Sequence, residues 1–373
     1  MRTRSLAPII IIAFSFFAVL MLPKPCYAQN YEQQFFLRKD DSTYQLTISV
    51  THSLYEYYQQ KDHQLTMETF AGFVTPYSLS LVAADIRSIF PSDEEFVNAV
   101  LMLVHQIPYQ AVEEAKYPVE TIVDDFGDCD LFSFTAASLM KSQSLDVVLF
   151  YYESESHMNI GVNLSNPPEE ARIPVSYVDY GGNRYYVAEC TGNDWQNAWR
   201  VGELPSELEG ADMNVVTLEN CESISPGQVS SSFGPLESTT ISLMVSSSYV
   251  VEGNSLIISG QVHALDPEGT VTLYGTTSDD WFSIGEAEVD SHGQYAFSWN
   301  PTEGGFYYVK ASWSGDSDHA GADSAVISIY VIPTLLVWAG GGLIMVAIIA
   351  TMMFLMYRTT HPQEIQTVED TYG

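Results

Sequence analysis

Positive charge is the scarcest property of this sequence. Its 373 residues carry 14 Lys and Arg against 47 Asp and Glu, a net charge of −33. No basic face is available to neutralise phosphates, which excludes a nucleic-acid partner. Histidine is sparse and scattered, eight in all, and no Cys or His pair has closed zinc spacing. The acidic pair Asp124-Asp125 lacks a surrounding EF-hand loop, and phosphate-cradling glycine motifs are absent. No cofactor or metal is therefore expected. Disorder is excluded as well, because the chain is 46% hydrophobic, 13% aromatic and only 16% charged, ample for packed cores. Residues 29–334 hold 10 basic and 44 acidic residues, a charge of −34. Such a surface repels anionic polymers and suits a salty or cation-rich exterior, although plain solubility explains it equally well.

Cysteine is also rare, with four in the chain. Cys26 falls in an N-terminal segment that reads as a secretory signal: Arg2 and Arg4, then the apolar run Leu6 to Leu22, then Cys26-Tyr27-Ala28 with small residues at the cleavage positions. Removal of residues 1–28 leaves Cys129, Cys190 and Cys221. Three is odd, so a free thiol is expected. Cys190 and Cys221 are available to pair in an oxidising exterior, with Cys129 left over. Leu335 to Tyr357 is an uncharged apolar stretch long enough to span a bilayer, and Arg358 follows at once. The expectation is a single-pass cell-membrane protein in contact with the lipid bilayer through one transmembrane helix, its ectodomain outside and a short tail, residues 358–373, in the cytoplasm.

The ectodomain divides by pattern. Residues 29–222 mix periodicities. Glu94 to Gln106 shows a broad apolar helical face with Ser92-Asp93 as its cap, and Asp130 to Ser142 is a second helix. Strand patterns follow at Leu145 to Tyr152, Met158 to Leu164, Val175 to Tyr180 and Arg184 to Cys190, the last two joined by Gly181-Gly182-Asn183 as a tight hairpin. This order predicts an α+β domain. Residues 223–238 are rich in Ser, Pro and Gly and read as a hinge. Residues 239–332 are all β, with short strands and turn signals at sandwich spacing and no cysteine. The series Asp290…Gly293…Tyr295…Trp299-x-Pro301…Gly305-x-Tyr307…Trp313-x-Gly315 resembles the immunoglobulin-like modules of prokaryotic surface proteins, which space or present other domains.

Three residues attract chemical interest. Cys129 lies in Gly127-Asp128-Cys129-Asp130, directly before a helix whose positive end would lower its pKa. The two aspartates oppose that effect, so a nearby cation is required; the alternative is a small buried residue beginning a helix. In His157-Met158-Asn159-Ile160-Gly161-Val162, alternation sends Met158, Ile160 and Val162 to the core and His157 with Asn159 to the other, accessible side. Glu189 shares a face with Tyr185 and Val187, while Cys190 takes the opposite one. If these strands pair, Glu189 can accept from the His157 ring and orient it, as in nucleophile–base–acid triads.

Tyr117-Pro118-Val119-Glu120-Thr121, Gly127-Asp128-Cys129-Asp130, His157 and Glu189-Cys190-Thr191, in that order, resemble the transglutaminase-like (papain-like) superfamily, especially its archaeal membrane-associated members. Gln106-Ile107-Pro108-Tyr109 and Trp199-x-x-Gly202-Glu203-x-Pro205 extend the resemblance over residues 70–206. It implies a papain-like α+β fold with Cys129 as nucleophile, His157 as general base and acid, and Glu189 as orienting acid. Gln106 would polarise the substrate carbonyl. The family commonly has Asp where Glu189 stands, and Ala-Trp where Met158-Asn159 follow the histidine. The implied activity is acyl transfer on an extracellular protein or peptide, by hydrolysis of a peptide or amide or by cross-linking to an amine, with hydrolysis preferred because no amine-binding feature is evident. The alternative is a non-catalytic adhesion or structural protein with a vestigial triad.

Overall fold

The computed structural model describes residues 30–278, 280–338 and 349–353. The expected signal segment, most of the expected span and the tail lie outside the described residues. Residues 334–338 and 349–353 are helical, and among the described residues no helix is long and apolar enough to cross a membrane.

The N-terminal region is α+β. Strands β1 (Tyr31–Lys39) and β2 (Ser42–Val50) form an antiparallel hairpin. Helices α1 (His52–Gln59), α2 (Ser80–Ile89), α3 (Asp93–Val104), α4 (Pro118–Asp124) and α5 (Cys129–Ser142) follow. Helix α3 starts at a capping box: Ser92 accepts from the Glu95 amide while Glu95 reaches back to the Ser92 amide. Asp93, Glu94 and Glu95 complement the positive end of the helix. Helix α5 is buried on nearly every side, as expected of a helix enclosed by its neighbours.

Next come β3 (Val147–Tyr152), β4 (His157–Val162), β5 (Tyr177–Tyr180), β6 (Asn183–Ala188) and β7 (Asn214–Thr217), in sheet order β5-β6-β4-β3-β7. Gly181 and Gly182, at φ +58° and +88°, close the β5–β6 hairpin, where positive φ at both loop positions matches the strand twist. Met158, Ile160, Val162, Tyr186, Ala188 and Cys190 face the helices in one core. Val148, Phe150, Tyr152, Tyr185, Val187 and Leu208 make a second, smaller core on the other face. That face, expected to be accessible, is covered, and Asn159 is fully buried.

Residues 223–238 are not a free hinge. Ser230–Ser232 forms β8, which pairs with β2, and Val229 is fully buried. The Pro226 carbonyl accepts from the hydroxyls of Thr272 and Tyr274, and the Gln228 amide donates to Ser314. Backbone donors on the outer edge of the hairpin recruit this polar segment as a strand, because a sheet edge pairs whatever extended chain lies beside it.

The C-terminal region comprises β9 (Ile241–Val245), β10 (Tyr249–Val251), β11 (Leu256–Val262), β12 (Thr270–Thr276), β13 (Phe282–Glu288), β14 (Gln294–Trp299), β15 (Gly305–Gly315), β16 (Ala320–Asp323) and β17 (Ile327–Ile332). One sheet has the order β14-β11-β9 and the other β10-β17-β15-β12-β13, with β16 on β15. A core containing Ile258, Leu273, Val309, Trp313 and Ile329 lies between them. This region docks on α1. Asp323 accepts from the Ser53 amide at 2.9 Å, Ser312 donates to Thr51, and Lys310 pairs with Glu56 over the Trp281 ring.

Candidate active site

The site begins with a tight loop. The Gly127 amide donates to the Pro108 carbonyl, and the Gln110 amide to the Gly127 carbonyl at 2.7 Å. A Cβ on Gly127 would sit 3.1 Å from both Leu131 Cβ and the Phe132 ring, so glycine allows the loop to enter α5 closely packed. Asp128 occupies the N-cap position and Cys129 the first helical residue. The Cys129 thiol, in a residue only 7% exposed, lies 3.5 Å from Asp130 Oδ1 and 3.9 Å from the Ser156 carbonyl. The Met158 amide also reaches the sulfur. Cys129 is thus held against the backbone on both sides of His157.

Strand register supplies the other two groups. Ile160 pairs with Ala188 and Val162 with Tyr186, and continuing that register sets Glu189 opposite Asn159. Alternation then puts His157, Asn159 and Glu189 on one face. His157 Nε2 lies 3.0 Å from Glu189 Oε2, which also accepts from Asn159 Nδ2 at 3.0 Å. Glu189 Oε1 accepts from the Thr191 amide at 2.8 Å. With Nε2 engaged, Nδ1 is the ring nitrogen left to exchange a proton. His157 keeps 20% of its side chain exposed and Glu189 only 1%.

The charges work against one another. Burial opposes ionisation of His157, but the hydrogen bond and charge of Glu189, with the charge of Asp130, raise its pKa. For Cys129, burial first and the Asp130 carboxylate second push the thiol well above its ordinary range, and Asp128 adds to this. The Met158 amide works in the other direction. The expected lowering by the helix terminus is therefore overridden, and the resting group is a thiol. Asp130 is itself raised, mainly by burial and by the charge of Asp128.

Other expectations are redistributed. Gln106 is committed to other partners. Its Nε2 donates to the carbonyls of Phe36 and Met102, and its Oε1 accepts from the Phe36 amide, each at 2.9 Å. The amide group is fully engaged in tying α3 to β1, so it has nothing left for a substrate carbonyl. Cys190 and Cys221 are free thiols. Cys190 is completely buried on the helix side of the sheet, 3.5 Å from the Ala188 carbonyl, whereas Cys221 is only partly buried.

Residues not anticipated as partners of Glu189 and Cys129 also contribute. His105 is buried and donates through Nε2 to the Glu189 carbonyl at 3.1 Å, and burial lowers its pKa so that it stays neutral. Asn159 and Thr191 supply donors to the carboxylate. Tyr109, 56% exposed, has its phenol raised by burial and then by the charges of the nearby Asp128 and Asp130. Asp128 Oδ1, Asn159 Oδ1 and Thr191 Oγ1 are buried without a hydrogen-bond partner, a concentration of unmet polarity more usual at sites than in structural cores. Among the described residues no group of three or more His, Cys, Asp or Glu could hold a metal ion.

No curated protein matches the chain. Solved structures with similarity to it include a CARDB domain from Pyrococcus furiosus in complex with di-metal ions, at 12% identity, 25% of this chain, 87% of that chain and TM-score 0.18. The bacterial hydrophobin BslA is similar at 15% identity over 27% of this chain and 98% of that one, TM-score 0.19. The ectodomain of mouse nectin-like molecule 4 is similar at 13% identity over 47% and 59%, TM-score 0.18. Likenesses of this size establish nothing about the whole chain. Residues 243–332 match the bacterial Ig-like domain (group 3) family, and this part of the chain is an Ig-like domain that contains none of Cys129, His157 and Glu189.

Proposed function

We propose that the N-terminal region is a transglutaminase-like cysteine enzyme, displayed outside the cell by a span over residues 335–357 and carried on the Ig-like domain. The observation that carries this reading is the 3.0 Å contact between His157 Nε2 and Glu189 Oε2, with Cys129, which opens a helix, 3.9 Å from the carbonyl of Ser156, the residue before His157. In the reaction, His157 Nδ1 takes the Cys129 proton as sulfur attacks a peptide or amide carbonyl. The Cys129 amide, in a first helical turn that lacks intrahelical acceptors, donates to the developing oxyanion. The C–N bond breaks, the leaving amine or ammonia takes the proton from His157, and a thioester remains. Water, deprotonated by His157, then attacks the thioester, releasing acid and restoring the thiol.

Because the resting thiol is protonated, this site acts by base-assisted attack rather than through a preformed thiolate. The raised thiol also favours a second reading, a non-catalytic surface protein in which the same residues are retained for packing. Alkylation of Cys129 by iodoacetamide, followed against pH in a Cys221→Ser background, separates the two. A rate at neutral pH that falls at least about tenfold in His157→Ala supports the enzyme. Equal rates in the two proteins mean that His157 does not serve the thiol. In the enzyme, Cys129→Ala abolishes ammonia release from a glutaminyl peptide, and retained release in that variant refutes the assignment.

A further inference from the structure

A cavity of about 620 Å³ is lined by the β1–β2 turn, one face of α3, Glu170 with Arg172, and residues 195–200, and it includes none of the three candidate catalytic residues. Its volume is in the range of small-molecule sites. Among its lining residues are Trp195 and Trp199, together with Arg38, Lys39, Arg172 and Arg200. Those are four of the 10 basic residues in 29–334, gathered at one place on a strongly acidic protein.

The wall that bears the indoles is built rigidly. Asp194 caps the short helix Trp195–Asn197 by accepting from the Gln196 and Asn197 amides. Glu203, only 1% exposed, pairs with Arg172 at 2.6 Å and accepts from the Arg172 and Arg200 amides. Arg172 in turn donates to the Ala198 carbonyl at 2.7 Å. On the floor, Asn98 receives the Val201 amide and donates to Glu170. Phe36 stacks against Trp195, with ring centroids 6.3 Å apart and planes 28° apart. These contacts fix the backbone that bears both indoles and the Trp195 ring itself before any ligand arrives, which lowers the ordering cost of binding.

The cations differ in what they already hold. Lys39 is paired with Glu95 at 3.0 Å, Arg172 with Glu203, and Arg200 with Glu170 at 3.8 Å and its carbonyl at 2.7 Å. Arg38 is exposed, and among the described residues its guanidinium makes only a 3.4 Å contact, with the Asp40 carbonyl. Aromatic faces pack against the C–H face of a sugar ring, and planar amide, carboxylate and guanidinium groups pair with its hydroxyls. A free guanidinium adds a bidentate seat for one carboxylate. A polyanion is disfavoured by the net charge of −33.

We propose that this cavity binds a short saccharide carrying a single carboxylate, its ring against Trp195 or Trp199 and its carboxylate on Arg38. The site is independent of the Cys129 chemistry. The test titrates the full-length chain with cellobiouronate and with cellobiose, its neutral counterpart, following tryptophan fluorescence and heat at about 0.15 M salt. Cellobiouronate binds at least about tenfold tighter than cellobiose, and Arg38→Ala removes that preference. Trp195→Ala weakens both sugars about tenfold, and Trp195→Phe recovers part of the loss. Arg38 is exposed, so its variant tests recognition without endangering the fold. Equal binding of the two sugars, binding unaffected by either variant, or no binding of cellobiouronate overturns the proposal.

Discussion

Replacing Glu189 by Gln is the most revealing single change at the site, because every group facing this side chain donates. Oε2 receives His157 Nε2 and Asn159 Nδ2, and Oε1 receives the Thr191 amide. A carboxylate satisfies all three; an amide of the same shape cannot. If the glutamine oxygen takes the Oε2 position, its NH2 meets the Thr191 amide donor to donor. If it is flipped, the NH2 meets His157 Nε2, which must then accept, and the proton moves to Nδ1, the nitrogen required as base. Either arrangement strands a buried donor at a cost of about 1–3 kcal/mol, or roughly 2–10 °C in melting temperature for a region of this size.

In the enzyme proposed above, loss of the carboxylate charge that stabilises the imidazolium, and in the flipped arrangement of the base itself, lowers turnover by about 10²–10⁴-fold. His157 also loses the Glu189 charge that helps hold its pKa up, and in the flipped arrangement the hydrogen bond as well. The linkage follows. In the native protein His157 has a raised pKa, so its stabilising contribution is fully present below the unfolded value of 6.5 and is lost as pH rises through the folded one. In Glu189→Gln that pH-dependent component disappears. Proton NMR of the His157 ring and thermal melts across pH 5.5–8.5, a window spanning about one to two units on either side of the free imidazole, measure both. An imidazole that titrates identically in the two proteins would refute the orienting role of Glu189.

Three other outcomes are expected. Asp130→Asn removes the charge that, after burial, most raises the Cys129 thiol, so alkylation accelerates and its pH profile moves to lower pH; an unchanged profile places the cause elsewhere. Gln106→Ala severs the hydrogen bonds to Phe36 and lowers stability by about 1–2 kcal/mol in denaturant titrations, leaving the Cys129 alkylation rate unaltered; a large loss of that rate restores a catalytic role to Gln106. Glu56 is brought down from 4.5 to about 2, because its bonds to His52 and Lys310 outweigh its burial. Its contribution is therefore present above pH 4.5 and lost as pH falls toward 2, by up to about 3 kcal/mol, and Glu56→Gln abolishes this acid-dependent loss in equilibrium unfolding.

What could be read from the chain followed the range of the interactions. Helices α3 and α5 were legible because capping and periodicity are local: Ser92 and Glu95 are three residues apart, and the second helix was expected from Asp130 where the structure begins it at Cys129. Alternation alone put His157 and Glu189 on faces that could meet once their strands paired, since a period of two leaves each side chain one choice of face. Alternation says nothing about what covers that face. The second core draws Leu208 from well beyond the last strand of the hairpin, so the side expected to be open is closed around Asn159. Gln106 failed for the same reason, because its partner Phe36 lies 70 residues earlier in a strand that no motif marks. The neighbouring His105 carried no signal as a lone histidine on a helix end. It reaches Glu189 only because the chain after β6 returns across the C-terminus of α3. Together these contacts clamp Glu189 from both its carboxylate and its carbonyl, which a spacing rule between Cys129 and His157 does not encode.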